Sequence, residues 1–147
     1  MHFKAAGSAL AISLTVLSAM AQIATPDANR MFSNAAQSLA SMSFDVNAPI
    51  TITGRVSTLV WPEGTSGMIL IKAGQSGEEY AFSTAAVPAM AKQGFTRFAL
   101  QPGAEVTITG ILASERGKVG PGFNAARADV ITKSDGTRLF DRSRLSQ

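Results

Sequence analysis

The sequence has no cysteine, and its single histidine is His2. Without cysteine there is no disulfide to staple the fold and no thiolate to serve as nucleophile or metal ligand. With histidine confined to the second position, the remainder of the chain excludes Ser-His-Asp and Cys-His catalysis, and zinc sites built on imidazole or thiolate. A metal held by oxygen ligands would need clustered carboxylates, and the ten acidic residues are scattered. Glu78 and Glu79 adjoin, but neighbours on a strand point to opposite faces and make a poor acid–base pair. Tryptophan and tyrosine occur once each, as Trp61 and Tyr80. These absences predict a protein that is not an enzyme, with no catalytic residue, cofactor or metal site.

Strong charge is also missing. The formal net charge is +3 over 147 residues. Basic residues are denser toward the C-terminus, from Arg116 to Arg144, but Glu115, Asp129, Asp135 and Asp141 are interleaved with them. That pattern describes a solvated mixed-charge surface and gives only a weak field for nucleic acid.

At the N-terminus one lysine, Lys4, precedes a small apolar run from Ala5 to Met20, and Ala19-Met20-Ala21 has the small-x-small form of a signal-peptidase site. Residues 1–21 are read as a secretory signal, which places the mature chain in the periplasm or outside the cell. The run is too short for a comfortable membrane span, so no integral membrane protein is expected after cleavage.

Residues 22–48 follow as an amphipathic helix and linker. Thr25-Pro26-Asp27 has the composition of a helix start. Ala28, Met31, Phe32, Ala35, Ala36 and Leu39 then recur on one helical face, predicting a helix from Pro26 to Ser41 that covers a barrel end or docks a partner.

The rest alternates with period two. Ile50-Thr51-Ile52-Thr53-Gly54 returns as Val106-Thr107-Ile108-Thr109-Gly110. Both copies read as half-buried strands ending at a bend, with threonines outward and glycine on the core face. Predicted strands are 50–61, 68–72, 79–83, 105–114 and 123–132, and a short helix, 87–93, falls between the third and fourth. After Val56 the apolar phase shifts to Leu59 and Trp61, which predicts a bend. Residues 116–122 read as a mobile Gly/Pro/Lys loop. Asp135-Gly136 signals a hairpin, and 137–140 a short edge strand. Residues 142–147 read as a frayed polar tail.

Strand, strand, strand, helix, strand, strand is the order of an OB-fold. The expected fold class is mainly β: a small five-stranded OB-like Greek-key barrel spanning 49–141, with its two repeats as paired strands.

Ser41-Met42-Ser43-Phe44, Thr53-Gly54-Arg55-Val56, Trp61-Pro62-Glu63, Gly94-Phe95-Thr96-Arg97, Leu100-Gln101-Pro102-Gly103, Val106-Thr107 and Asp135-Gly136 occur in an order that resembles a family of small exported bacterial proteins of unknown function. The resemblance runs from Ser41 to Ser143. It implies export and an OB-like fold, and it carries no activity. That family opens with His-His-Ser-Phe and has Trp-x-Asn-Pro-His, so any metal or proton-handling role of those histidines is lost here, where Ser41-Met42 replaces the His-His and the Asn-Pro-His after the tryptophan is missing.

Candidate ligand contacts are few. Trp61 enters a loop at the end of the first strand, where an aromatic could stack on a ligand or plug the barrel. Tyr80 suits a ligand platform or a core position. Arg97 follows the second helix, with Phe95 and Phe98 expected to pack beneath the barrel. Arg116 and Lys118 lie in the basic loop. The function expected is a non-enzymatic exported binding or accessory module for an envelope protein or small ligand. Single-stranded nucleic acid or polyanion binding is the alternative, and a carboxylate-based enzyme the last.

Overall fold

The computed structural model describes residues 26–120 and 122–146. The expected signal, 1–21, and Thr25 lie outside them. The chain divides into two units, with the boundary between Phe32 and Ser33. The second unit contains the C-terminal part of helix α1 (Pro26–Ala40) and every described strand. Among the described residues, no helix is long and apolar enough to cross a membrane.

The protein is mainly β, with a seven-stranded, mostly antiparallel sheet. Its strands are β1 (Phe44–Val60), β2 (Ser66–Ala73), β3 (Glu79–Ala86), β4 (Glu105–Ala113), β5 (Lys118–Val119), β6 (Phe123–Lys133) and β7 (Arg138–Asp141). Helix α2 (Val87–Lys92) lies between β3 and β4. Hydrogen-bonded neighbours run β3–β2–β1–β4–β6, and β3 also pairs in parallel with β6. The pairing path therefore returns to its start, and β7 is attached to β6.

The two pentads are direct partners. Ile50 lies opposite Gly110, Thr51 opposite Thr109, Ile52 opposite Ile108, Thr53 opposite Thr107 and Gly54 opposite Val106. The register is centred on Ile52 and Ile108, so each glycine faces the first residue of the other copy. The threonines meet on the outer face: Thr53 Oγ1 and Thr107 Oγ1 are 2.8 Å apart, Thr51 Oγ1 and Thr109 Oγ1 3.3 Å. Ile108 and Val106 are fully buried on the other face. Neither glycine has a positive φ. What they supply is room, because a Cβ at Gly54 would fall on the carbonyl of Lys72, and one at Gly110 on the carbonyl of Arg127. A neighbouring strand's backbone passes close to each of these two positions.

The phase change after Val56 is a register shift between Val56 and Thr58 in the pairing of β1 with β2. One extra residue, Ser57, turns the following side chains over. β1 begins at Phe44 rather than at Ile50. Its first stretch pairs with β4 through a second register shift, between Phe44 and Pro49. β2 does not reach this stretch, since its pairs with β1 start at Gly54. A proline and an Asp45 side chain that accepts the Asn47 N–H at 2.9 Å are tolerated on such an edge.

Helix α2 ends in a Schellman pattern. Gly94, at φ 84°, donates to the Ala91 carbonyl at 2.9 Å, and Phe95 N–H to the Met90 carbonyl at 3.1 Å. The motif drives Phe95 into the core beside Met90, both with zero exposure. Phe98 does not follow: it is 75% exposed, because the Schellman turn aims only its own final residue inward.

Two further expectations differ. The loop at 116–122 holds strand β5, whose Lys118 and Val119 pair with Asn124 and Phe123, since buried Val119 gives that hairpin an anchor. The C-terminal residues are not frayed: Arg142–Ser146 form a 3-10 helix. Arg142 donates from Nε and Nη2 to the Ala128 carbonyl at 3.0 and 2.9 Å, and its guanidinium lies 5.8 Å from the Phe140 ring centre.

Candidate functional site

The alternation in β6 builds the site. Ala126 and Ala128 are fully buried, so Arg127 between them points outward, and a register shift that leaves Asp129 without a partner on β4 keeps it on the outer face while Ile131 returns to the core. Arg127 Nε donates to Asp129 Oδ1 at 3.0 Å. Arg142, brought back by the β6–β7 hairpin, places its Nε 3.1 Å from the same oxygen. Two guanidinium groups thus share one carboxylate. The three side chains are 32%, 28% and 25% exposed in the order Arg127, Asp129, Arg142, so the surplus positive charge is only partly solvated. Burial, and then the Arg127 charge, push the Arg142 guanidinium below the usual arginine value, while Asp129 opposes the shift. An arginine starts from so high a value that it stays charged at physiological pH.

Parallel pairing sets Ser83 of β3 beside Arg127. Ser83 and Thr84 are the buried polar residues of the described chain. The Thr84 hydroxyl accepts the Gly67 N–H and donates to the Ala85 carbonyl, each at 2.8 Å, so it is fully occupied in joining β2 to β3. The Ser83 hydroxyl has only a long 3.4 Å contact to the Thr84 carbonyl.

Ser83, Thr84, Arg127 and Arg142 line a cleft of about 410 Å³, and Asp129, which joins the two arginines, is not among its lining residues. Met42, Phe44, Ala85, Ala89 and Leu145 supply its apolar walls. A cleft of about 460 Å³ lies near the end of β4, but Glu115 is the single charged side chain among its described lining residues. In the smaller cleft two guanidinium groups and the Ser83 hydroxyl stand beside apolar side chains, the usual form of a ligand site. Among the described residues, no group of three or more His, Cys, Asp or Glu is placed to hold a metal ion.

The residues singled out by sequence lie elsewhere. Trp61 is half-buried and stacks on Phe95, with ring centres 5.4 Å apart and planes at 26°. Tyr80 is half-buried, stacks on Phe82 and donates to Glu78 Oε2 at 2.9 Å. Burial, then that hydrogen bond and the Glu78 charge, raise its phenol above 10.0. Trp61 and Tyr80 are not brought together: Val60 faces Met68 and Met68 faces Ser83, three residues along β3 from Tyr80, a distance of about 10 Å. Arg97 is exposed. Arg116, at φ 53°, donates to the Ala113 carbonyl at 3.1 Å and lies 3.7 Å from Asp45. Lys118 donates to Asn124 Oδ1 at 2.8 Å, and Asn124 in turn donates to the Glu79 carbonyl at 3.1 Å. Only Tyr80 and Lys118 approach one another, through Asn124. The basic loop is thus tied down by its own neighbours.

The cleft escaped the sequence reading. Alternation through Ala126 and Ala128 was a usable signal that Arg127 and Asp129 pair. Nothing in the sequence ties Arg142 or Ser83 to them.

Fold and site together define a small, mainly β protein whose outer sheet face carries a two-arginine cleft. The chain belongs to the family of unknown function DUF6152, whose sequence model matches residues 28–121. No curated protein matches the chain. The matched segment holds Ser83 and the apolar wall from Met42 to Ala89, and it ends before Arg127, Asp129 and Arg142.

Proposed function

We propose that the chain is an exported, non-enzymatic binding module in which the closed strand circuit is an OB-like Greek-key barrel and the Arg127–Arg142 cleft holds the ligand. The order of pairing, with a helix between β3 and β4, supports the barrel reading. The lysine, apolar run and Ala-Met-Ala at the N-terminus support export to the periplasm or beyond. The observation that carries the binding reading is that two guanidinium groups, joined through Asp129, line a partly apolar cleft of about 410 Å³. Such a surplus of directed donors in a partly dry hollow is complementary to a ligand of opposite sign.

The nucleic-acid alternative is the less favoured reading, since Arg116 lies 3.7 Å from Asp45 and Lys118 donates to Asn124. The test is affinity capture with the tagged protein from an envelope extract, run beside Arg127→Gln. The reading expects a protein or small molecule retained by the parent and depleted with the variant. Repeated recovery of nothing, or equal recovery by both, would count against it. Export is checked by sequencing the N-terminus of the secreted chain, expected at Gln22.

A further inference from the structure

We infer that the cleft between β3, β6 and the C-terminal turn takes a monoanionic carboxylate carried on a short aliphatic chain. This rests on the reading of that cleft as the ligand site. The charge count decides the headgroup. Arg127 and Arg142 carry two positive charges and Asp129 one negative, which leaves one positive charge in a partly buried place. One carboxylate neutralises it. A phosphate dianion would reverse it and set excess negative charge beside Asp129, where desolvation penalises an unbalanced ion. A cation would meet two guanidinium groups.

The remaining donors also suit a carboxylate. A guanidinium offers five N–H donors in a planar fork. Arg142 spends Nε and Nη2 on the Ala128 carbonyl, and its Nη1 is left over. Arg127 spends Nε on Asp129, and both of its Nη groups are left over. Two parallel N–H bonds from one fork match the two oxygens of a carboxylate. Ser83, weakly held at 3.4 Å, can turn its hydroxyl to one of those oxygens. Thr84 is fully engaged and contributes shape only.

The walls decide the rest of the ligand. Ser66 adds one hydroxyl to the lining, but Met42, Phe44, Ala85, Ala89 and Leu145 present no polar side-chain atom that could bond. A sugar or a polar peptide would leave its hydroxyls or amides unpaired against them. Met42 is flexible enough to follow an aliphatic chain, and Leu145 is still 37% exposed, available for cover. The hollow of about 410 Å³ is large enough for a small ligand and small for a long one.

The experiment is calorimetric titration of the purified protein at pH 7 with octanoate, octyl phosphate and 1-octanol. Octanoate is expected to bind at one site and more tightly than either comparator. Arg127→Gln is expected to weaken it about ten- to hundred-fold, the effect of losing a charge-assisted hydrogen-bond pair. Arg142→Lys keeps the charge but loses the fork, and is expected to weaken binding about ten-fold by the same reasoning. Arg97→Gln, outside the cleft, should leave it unchanged. Octyl phosphate binding as tightly as octanoate and with the same dependence on Arg127 would overturn the carboxylate assignment while leaving a cleft that binds anions. Octanol binding as well as octanoate, or no octanoate binding at all, would overturn it too, and affinity capture then decides the broader reading separately. If Arg127→Gln does not fold, Arg142→Lys and the three-ligand ranking on the parent protein still decide the matter.

Discussion

The β1–β4 seam and the Arg127–Arg142 cleft belong to the same sheet and are built by opposite means. The seam uses ten residues from two contiguous pentads, uncharged throughout, whose partners are fixed by register alone. The cleft draws on residues from 40–44, 66, 83–89, 127 and 142–145, and its geometry depends on Arg127 and Arg142 being held by side-chain bonds, with Asp129 between them. The seam tolerates almost no added volume at its glycines and little depends on its threonines. The cleft has space to spare and an unbalanced charge. Closure is thus stored in the backbone, while recognition is left to side chains that closure brings together.

The comparison breaks most sharply at the glycines. Gly110→Ala and Gly54→Ala each set a Cβ against a backbone carbonyl that cannot swing aside, on Arg127 and Lys72 respectively. Each is expected to destabilise by about 3 kcal/mol or more, seen as a fall in the urea midpoint. A loss below about 1 kcal/mol would mean that the seam relaxes and closure is not stored there.

Removal of the cleft's carboxylate comes next. Asp129→Asn leaves Arg127 and Arg142 facing each other, at an expected loss of about 1–2 kcal/mol for these partly exposed groups. The loss should shrink in high salt, which screens the repulsion between the two guanidinium groups. A salt-independent effect would point to packing instead of charge.

The threonine pairs should matter least to stability. Thr53→Ala with Thr107→Ala is expected to lower stability by about 0.2–1 kcal/mol, the range of a cross-strand pair. Ligand binding should not change, so the same double variant separates the two regions.

Tyr80, near the start of β3, gives a separate pH marker. Its raised phenol ionises later in the folded chain than in the unfolded one, where the value is 10.0. The stability it contributes is fully present below pH 10.0 and is lost as pH rises through the raised folded value. As the only tyrosine, it can be followed directly by phenolate absorbance. A midpoint above 10.0 is expected, and Tyr80→Phe should flatten the stability curve in the alkaline range.

The seam was legible because its information is local. Alternating Ile and Thr fixes the faces, glycine on the core face marks the close crossing, and the phase change at Val56 marks the bulge. The Gly94 stop was legible for the same reason, since a helix end is a property of adjacent residues. The start of β1 was hidden by Pro49 and by polar Asp45 and Asn47, which an edge accepts and a central strand would not. Arg127 and Asp129 read as two members of a mixed-charge surface, and Arg142 as tail, because their meaning comes from a hairpin return and from the parallel β3–β6 pairing. Phe98 shows the limit on the other side: its apolar character suggested burial, and only the geometry of the turn after Met90 puts it in solvent.

The most direct test of the contrast is a backbone amide shift map of the protein titrated with octanoate. The account predicts shifts at Ser83, Thr84, Ala85, Arg127 and Arg142, with the amides of Thr51, Thr53, Thr107 and Thr109 unmoved. Shifts concentrated on the threonine seam or on the Arg116–Lys118 hairpin, with the cleft silent, would contradict it.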